Sequence, residues 1–404
     1  MEKKAKIRIR GYFADLTSWF KLPKRRREWI DQGNPNFDIG DPVADLAKRL
    51  HPGLISAVIT EVKQETPSSR TYTLKPEAPH ILPLHYAGQY MSVKFEIDGK
   101  ALTRPFAISS PPMTAYRDNL IQITLRKKAD GYVSAYVWDH WQAGSRLRFE
   151  APLGQLFYSA IRDAAHVVGI AGGSGITIFR SIIGDMRESH RPERLTLLYG
   201  SRQAGDIIFK DELDEWAARS NGRVKIHHIL SEADKGWTGE RGFITRDLIR
   251  KLVPDYGSAG FYVSGPPALY DFIGPELDAL KIRPTRRRIE CYGESGPIER
   301  HRDFPRDQEN RTYAMKVLFG RDEQEVPAKS TETVAVALER AGLAVDTQCR
   351  SGECGWCRSK LVAGKVWQRP ESDGVRERDK DAAYFHPCSA YPLEDLTVRV
   401  FTRL

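Results

Sequence analysis

Cys349-Arg-Ser-Gly-Glu-Cys354-Gly-Trp-Cys357, with Cys388 following after thirty residues, is the stretch that decides how this chain is read. Three thiols on one short loop and a fourth from a distant segment can surround two irons tetrahedrally, the arrangement of a [2Fe–2S] site. Gly352 and Gly355 lie between the ligands. Glycine lets the backbone curl close and turn amides toward an anionic group. Zinc would call for two short paired motifs rather than a triple and a single. Disulfides fit poorly, because the fifth cysteine, Cys291, leaves an odd count and no secretory signal is visible. Cys291 itself reads as an ordinary buried thiol. A chain holding such a cluster carries one electron at low potential, around −400 mV.

Composition frames that reading. The 404 residues suggest two to four domains, and 41% hydrophobic with 28% charged residues leaves ample core. Of the net charge of +9, part is local: residues 1–28 hold ten Lys or Arg and three acids. Interleaved with them are Tyr12, Phe13, Trp19 and Phe20, with Trp29 just beyond. Basic plus aromatic suits a membrane-surface helix, a docking arm or a solvated extension. No groove-reading or stacking motif supports nucleic acid. No apolar run approaches a membrane span, and no export segment is seen, so a cytoplasmic chain is expected, with peripheral membrane contact through the N-terminal extension left open.

The grammar then changes twice. From Ile55 to about Tyr158, segments such as ISAVITEV, QYMSVKFEI and SRLRFEAPL alternate between turn signals, which predicts an antiparallel β-barrel. A short helix is expected over Gly131–Trp141. From His166, HVVGIAGGSGITIFR reads as buried strand, glycine turn and helix, and further strands alternate with helices. That predicts a parallel α/β sheet. The resulting division is a basic extension (1–50), a barrel (51–160), an α/β domain (161–285), a linker (286–311) and a small α+β cluster domain (312–404).

Several motifs carry a family resemblance: Thr103-Arg104-Pro105-Phe106-Ala107-Ile-Ser-Ser110, Gly131-Tyr-Val-Ser134, Gly172-Gly173-Ser174-Gly175-Ile-Thr177 and Ser264-Gly265-Pro266. With the cysteine loop they resemble the ferredoxin–NADP⁺ reductase superfamily. The order flavin, nucleotide, plant-type cluster is similar to reductase components of multicomponent oxygenases. Phthalate dioxygenase reductase, ketosteroid hydroxylase reductase and the phenylacetyl-CoA epoxidase reductase subunit share it. The likeness covers about Leu54 to Leu404 and implies a β-grasp ferredoxin domain at the C-terminus.

The resemblance assigns roles. Arg104 would bind flavin phosphate through its planar guanidinium, beside Pro105, and Phe106 would pack on the flavin ring. Ala107 stands where relatives carry a hydroxyl near flavin N5, which leaves a backbone amide, Ser109 or Ser110 to serve there. Gly131 and Ser134 match the start of the pyrophosphate-binding helix, with FAD favoured and FMN open. Gly172, Gly173, Ser174, Gly175 and Thr177 would admit the nicotinamide dinucleotide, with Gly265 and Pro266 opposite. Ser264 replaces the cysteine that many relatives place beside the nicotinamide. Arg202 could meet a 2′-phosphate, but Glu232 would repel one, so NADH is expected and NADPH kept open. Glu290 and Tyr292 match an acid and an aromatic near the flavin. Cys349, Cys354, Cys357 and Cys388 would hold the cluster. The implied activity is NADH-dependent electron transfer through flavin and cluster to a terminal oxygenase, hydroxylase or desaturase. A reductase of another metalloprotein, such as a hybrid-cluster protein, and a redox-sensing module are the alternatives.

Overall fold

Buried and exposed positions alternate along the first strands, and that alternation closes them into a barrel. The computed structural model describes residues 11–32, 41, 43–44, 46–47, 53–78, 80–128, 131–189, 192–289, 293, 297–369 and 374–401. Strands β1 (Leu54–Thr66), β2 (Ser69–Pro76), β3 (Tyr90–Ile97), β4 (Lys100–Ala107), β5 (Ile121–Arg126) and β6 (Arg146–Leu153) form an antiparallel sheet in the order β4-β3-β6-β1-β2-β5. A bridge between Ile108 and Ile123 joins its two edges. Ile55, Ala57 and Ile59 of β1 point inward with Tyr72, Met91, Val93 and Phe149. This is the period of two that a half-buried strand requires.

The second layer is parallel. β7 (His166–Gly172), β8 (Arg194–Ser201), β9 (Val224–Leu230), β10 (Glu240–Arg241), β11 (Gly260–Ser264) and β12 (Arg287–Ile289) lie in the order β10-β9-β8-β7-β11-β12. β7 is central and buried almost throughout. Val167 and Ala171 face one core and Val168 and Ile170 the other, so helices cover both faces. The chain runs outward from β7 through β10 and returns to place β11 beside β7. The order reverses there, and such a switch point opens a ligand crevice at the strand ends. The basic segment after Arg283 is not a plain linker: Arg287–Ile289 adds the sixth strand, and Arg288 pairs with buried Asp163 at 2.9 Å. Its charges hide the strand signal because their partners are distant in sequence.

The third unit is a mixed sheet, β14-β13-β17-β15-β16, built from β13 (Thr312–Phe319), β14 (Asp322–Lys329), β15 (Ser359–Ala363), β16 (Tyr384–Phe385) and β17 (Leu396–Val400). The helix Val334–Arg340 buries Val334, Ala335, Ala337 and Leu338 against it. Thr333 caps that helix by accepting the Val336 amide at 3.2 Å. This is the β-grasp arrangement. The N-terminal segment forms a separate unit with helices Tyr12–Trp19 and Leu22–Gln32, on which Phe13, Trp19, Phe20, Trp29 and Ile30 are exposed. Among the described residues no helix is long and apolar enough to cross a membrane.

The barrel and the parallel sheet are fastened by buried polar contacts. Arg180, on the helix Ile176–Ser189, grips Glu212 with two bonds of 2.9 and 3.0 Å. Its remaining nitrogen donates to the Ser109 carbonyl and the Gln122 side chain of the barrel. Ser181 donates to the Ser110 carbonyl at 2.7 Å. At this junction His85 is buried beside the Ser110 backbone, and burial pushes its pKa down to about 4.

That shift fixes a sign. Between pH 6.5 and 4 the unfolded chain protonates His85 while the folded chain resists, so the unfolded state binds more protons. Stability therefore rises with pH across that window and is lost on acidification, by at most about 3 kcal/mol. Urea unfolding of the His85→Gln variant is expected to lose less stability between neutrality and pH 4.5 than wild type. Equal losses would contradict this.

Candidate functional site

The cysteine loop follows the helix Val334–Arg340 and is bent by three residues with positive φ: Arg350 (57°), Gly352 (85°) and Gly355 (71°). These turns direct amides at sulfur. Ser351 and Cys354 amides donate to Cys349 Sγ at 3.5 and 3.4 Å, and the Trp356 amide donates to Cys354 Sγ at 3.4 Å. The fourth thiol comes from the segment before strand Ala390–Pro392, where Cys388 Sγ lies 3.4 Å from Cys357 Sγ. His386 holds the loop through its ring nitrogen at 2.6 Å from the Gly352 carbonyl. All four cysteines are free thiols; three are buried and Cys354 is exposed.

Crowding couples the sulfurs. Cys349 is pushed well down, first by the hydrogen bond from Cys354 and then by that from Cys388. Cys354 and Cys388 are pushed up, first by giving those bonds and then by burial or their other cysteine contacts. Among the described residues no three His, Cys, Asp or Glu side chains are set to hold a single metal ion. The four sulfurs instead form one contiguous group, Cys388 meeting both Cys357 and Cys349, and Cys354 meeting Cys349. The donor set and its amide contacts therefore fit a [2Fe–2S] cluster.

The barrel supplies the second site. Arg104 lies on β4 opposite Val93, and Pro105 is buried opposite Ser92. Phe106 and Ala107 alternate: the ring packs half-buried on the barrel core, 6.2 Å from the Phe95 ring, and Ala107 packs toward the parallel sheet. Gly131 caps the helix Tyr132–His140, whose first turn carries no acid and no side-chain cap. A Cβ on Gly131 would lie 2.2 Å from Ser134 Oγ, and that hydroxyl donates to the Gly131 carbonyl at 3.0 Å. Open amides at a helix start fit a flavin pyrophosphate. Ser109 and Ser110, by contrast, are fully buried. Ser109 Oγ bonds Thr124 Oγ1 at 3.0 Å, and Ser110 Oγ accepts the Gln122 amide at 3.0 Å. The expectation of a reactive hydroxyl at Ser110 is thus corrected. The chain leaves β4 directly into the packed domain junction, which seals both side chains.

The third site lies at the switch point. Gly172–Gly175 ends β7 and Ser264–Pro266 ends β11, and the turns touch. A Cβ on Gly175 would meet the Ser264 carbonyl oxygen at 2.0 Å, and one on Gly265 would lie 3.2 Å from Gly172. Only glycine permits this approach at Gly175. Tyr199 donates to the Gly173 carbonyl at 3.0 Å and accepts the Ile208 amide, which holds the turn from below. Thr177, read as a possible ligand donor, gives its hydroxyl to the Ser174 carbonyl at 3.0 Å and is buried. Ser264 is buried at the turn. Arg202 and Glu232, at the ends of β8 and β9, form an ion pair at 3.0 Å. At 68% and 49% side-chain exposure such a pair contributes at most about 1 kcal/mol to stability. Its consequence is chemical: the arginine is already neutralised by a carboxylate.

Glu290, Cys291 and Tyr292 lie outside the described residues. Sequence reasoning missed Arg126, whose guanidinium comes within 3.4 Å of where a Gly173 Cβ would sit while pairing with Asp206 at 3.0 Å. It also missed Glu339 and Arg350, a buried ion pair behind the cysteine loop. Arg126 sits at the end of a barrel strand, far in sequence from the turn it meets, so no local motif marks it.

Comparison with known proteins matches each part. Residues 56–158 match the oxidoreductase FAD-binding domain, 170–274 the oxidoreductase NAD-binding domain, and 319–393 the 2Fe-2S iron-sulfur cluster binding domain. The glycine betaine monooxygenase reductase subunit of Chromohalobacter salexigens is 26% identical over 84% of this chain and 93% of its own length. The ferredoxin reductase component of 3-ketosteroid-9-alpha-monooxygenase from Mycobacterium tuberculosis is 29% identical over 88% and 97%. The solved structure of phthalate dioxygenase reductase shares the fold with a TM-score of 0.61 at 21% identity, covering 87% of this chain and 98% of that one.

Glu232→Arg is expected to raise the kcat/KM ratio of NADPH to NADH by about ten-fold or more, the scale of about 1.4 kcal/mol. Steady-state kinetics with both nucleotides measures it, and an unchanged ratio would place the adenosine ribose elsewhere.

Proposed function

We propose that this chain, which matches FAD-binding, NAD-binding and 2Fe-2S cluster-binding domains, is the NADH-oxidising reductase of an oxygenase system. FAD, NADH and a [2Fe–2S] cluster are its cofactors. The acceptor is a terminal oxygenase, hydroxylase or desaturase. Glycine betaine monooxygenase and 3-ketosteroid-9-alpha-monooxygenase are the systems served by two of its relatives. When bound, flavin supplies the conversion between a two-electron hydride and single electrons, and the cluster supplies a one-electron relay. One NADH gives NAD⁺, a proton and two electrons that leave singly.

The chain's own residues do the positioning. Gly175 and Gly265 clear the crevice, and Tyr199 keeps the Gly173 carbonyl out of it. Glu232 would accept the ribose hydroxyls of NADH and disfavour a 2′-phosphate. Arg104 and the open amides after Gly131 would hold the flavin phosphates. The Ser351, Cys354 and Trp356 amide contacts would stabilise the charge arriving on sulfur.

The observation that carries the reading is continuity. Gln348, next to the first ligand cysteine, bonds Glu150 of the barrel at 2.5 Å, and the Cys349 carbonyl accepts the Gly293 amide at 3.1 Å. A cysteine loop fastened to the barrel and to the segment that follows β12 is what a relay within one chain requires. Cys354 is the exposed ligand and offers the exit toward an acceptor.

Cys354→Ser separates the two halves of the path. It is expected to lower NADH–cytochrome c reduction at least about ten-fold while leaving NADH–ferricyanide reduction near wild type. Equal loss of both, or of neither, would contradict the relay.

A further inference from the structure

One carboxylate joins two sites that the sequence treats as separate. Glu339 sits on the helix that precedes the cysteine loop and is 4% exposed. Its Oε1 accepts from Arg350 Nη1 at 2.5 Å and its Oε2 from Arg350 Nη2 at 3.0 Å. Arg350 is the residue after Cys349, fully buried, and held at a φ of 57°. Glu339 Oε2 also lies 3.5 Å from Nη1 of Arg104 on β4. That same nitrogen of Arg104 donates to the Thr103 carbonyl at 2.8 Å. The helix packs directly on β4, so the three side chains form an Arg–Glu–Arg row from barrel to cluster loop.

We propose that Glu339 is a positioning residue that couples the flavin-phosphate arginine to the cluster loop, so that one buried negative charge moderates both. This deepens the functional reading and rests on its assignment of Arg104 to flavin phosphate and of the four cysteines to the cluster. The physics has a definite sign. A buried carboxylate between two guanidiniums draws each toward itself and offsets part of its positive charge. At the barrel end this competes with a phosphate for Arg104. At the other end it screens the cluster, an anionic group through its thiolates, from the full charge of Arg350. Arg350 holds its left-handed conformation without glycine, as a residue fixed by its surroundings does.

The test is Glu339→Gln, which keeps the shape and removes the charge. Two quantities are read in the holoprotein: the flavin dissociation constant, by fluorescence, and the cluster midpoint potential, by EPR-monitored titration. Flavin is expected to bind tighter, by about three- to ten-fold, and the potential to move positive. A purely structural role would loosen flavin or lose the cluster, the opposite direction for the first readout. Either quantity staying at its wild-type value, or moving the other way, overturns the proposal.

If the single variant does not fold because Arg350 loses its buried counter-charge, Glu339→Gln with Arg350→Gln removes that buried charge. The double variant is expected to bind flavin tighter than wild type, with the potential close to the wild-type value. Wild-type flavin affinity in it overturns the proposal. Wild-type protein that takes up neither flavin nor cluster would overturn the functional reading and this inference together. Wild type holding both, beside an unchanged variant, overturns this inference alone.

Discussion

Electrons pass between cofactors only over short distances, so the constraint on which this structure depends is the fastening of one unit to the next. Arg180 bears most of it between barrel and parallel sheet. Its fork on Glu212 is largely buried, and its remaining nitrogen ends on two barrel oxygens. A charge-assisted network of this kind is worth more than an exposed pair such as Arg202–Glu232, and breaking it would leave a carboxylate unpaired at the junction. Ser181 and Arg126 add further ties along the same seam. The cluster unit is secured separately, by Gln348 on Glu150, Arg369 on Asp271 and the row through Glu339.

Given that fastening, the local structures each follow from simple steric facts. The nucleotide crevice exists because two turns approach to backbone contact, which a Cβ on Gly175 would forbid. The cysteine loop can turn amides toward sulfur because three of its residues adopt left-handed conformations. The helix after Gly131 begins without a capping side chain, which leaves its first amides available to an anion.

What was legible in the sequence is what is encoded locally. Cysteine spacing, glycine turns after apolar strands, and alternating strands report on neighbours within a few residues, and the structure places those elements accordingly. What was not legible depends on distant contacts. Ser110 read as a flavin hydroxyl because motifs do not show which face a turn buries; a helix some seventy residues on covers it. Arg287–Ile289 hid its strand because its arginines are neutralised by Asp278 and Asp163. Glu339 and Arg350 carry no motif at all, since a buried ion pair between helix and loop leaves no periodic trace. Arg202 and Glu232, two opposing sequence hints about the nucleotide, pair with each other, a contact that no local motif shows.

The central claim is that NADH, flavin and cluster form one connected path in this chain. Low-temperature EPR of the anaerobic protein after NADH addition tests it most directly. A rhombic signal averaging below about g = 2 is expected, from a reduced plant-type cluster, matching in shape the signal that dithionite gives. A sample that stays silent with NADH yet shows that signal with dithionite would contradict the path. Silence with both reductants in iron-replete protein would contradict the cluster itself.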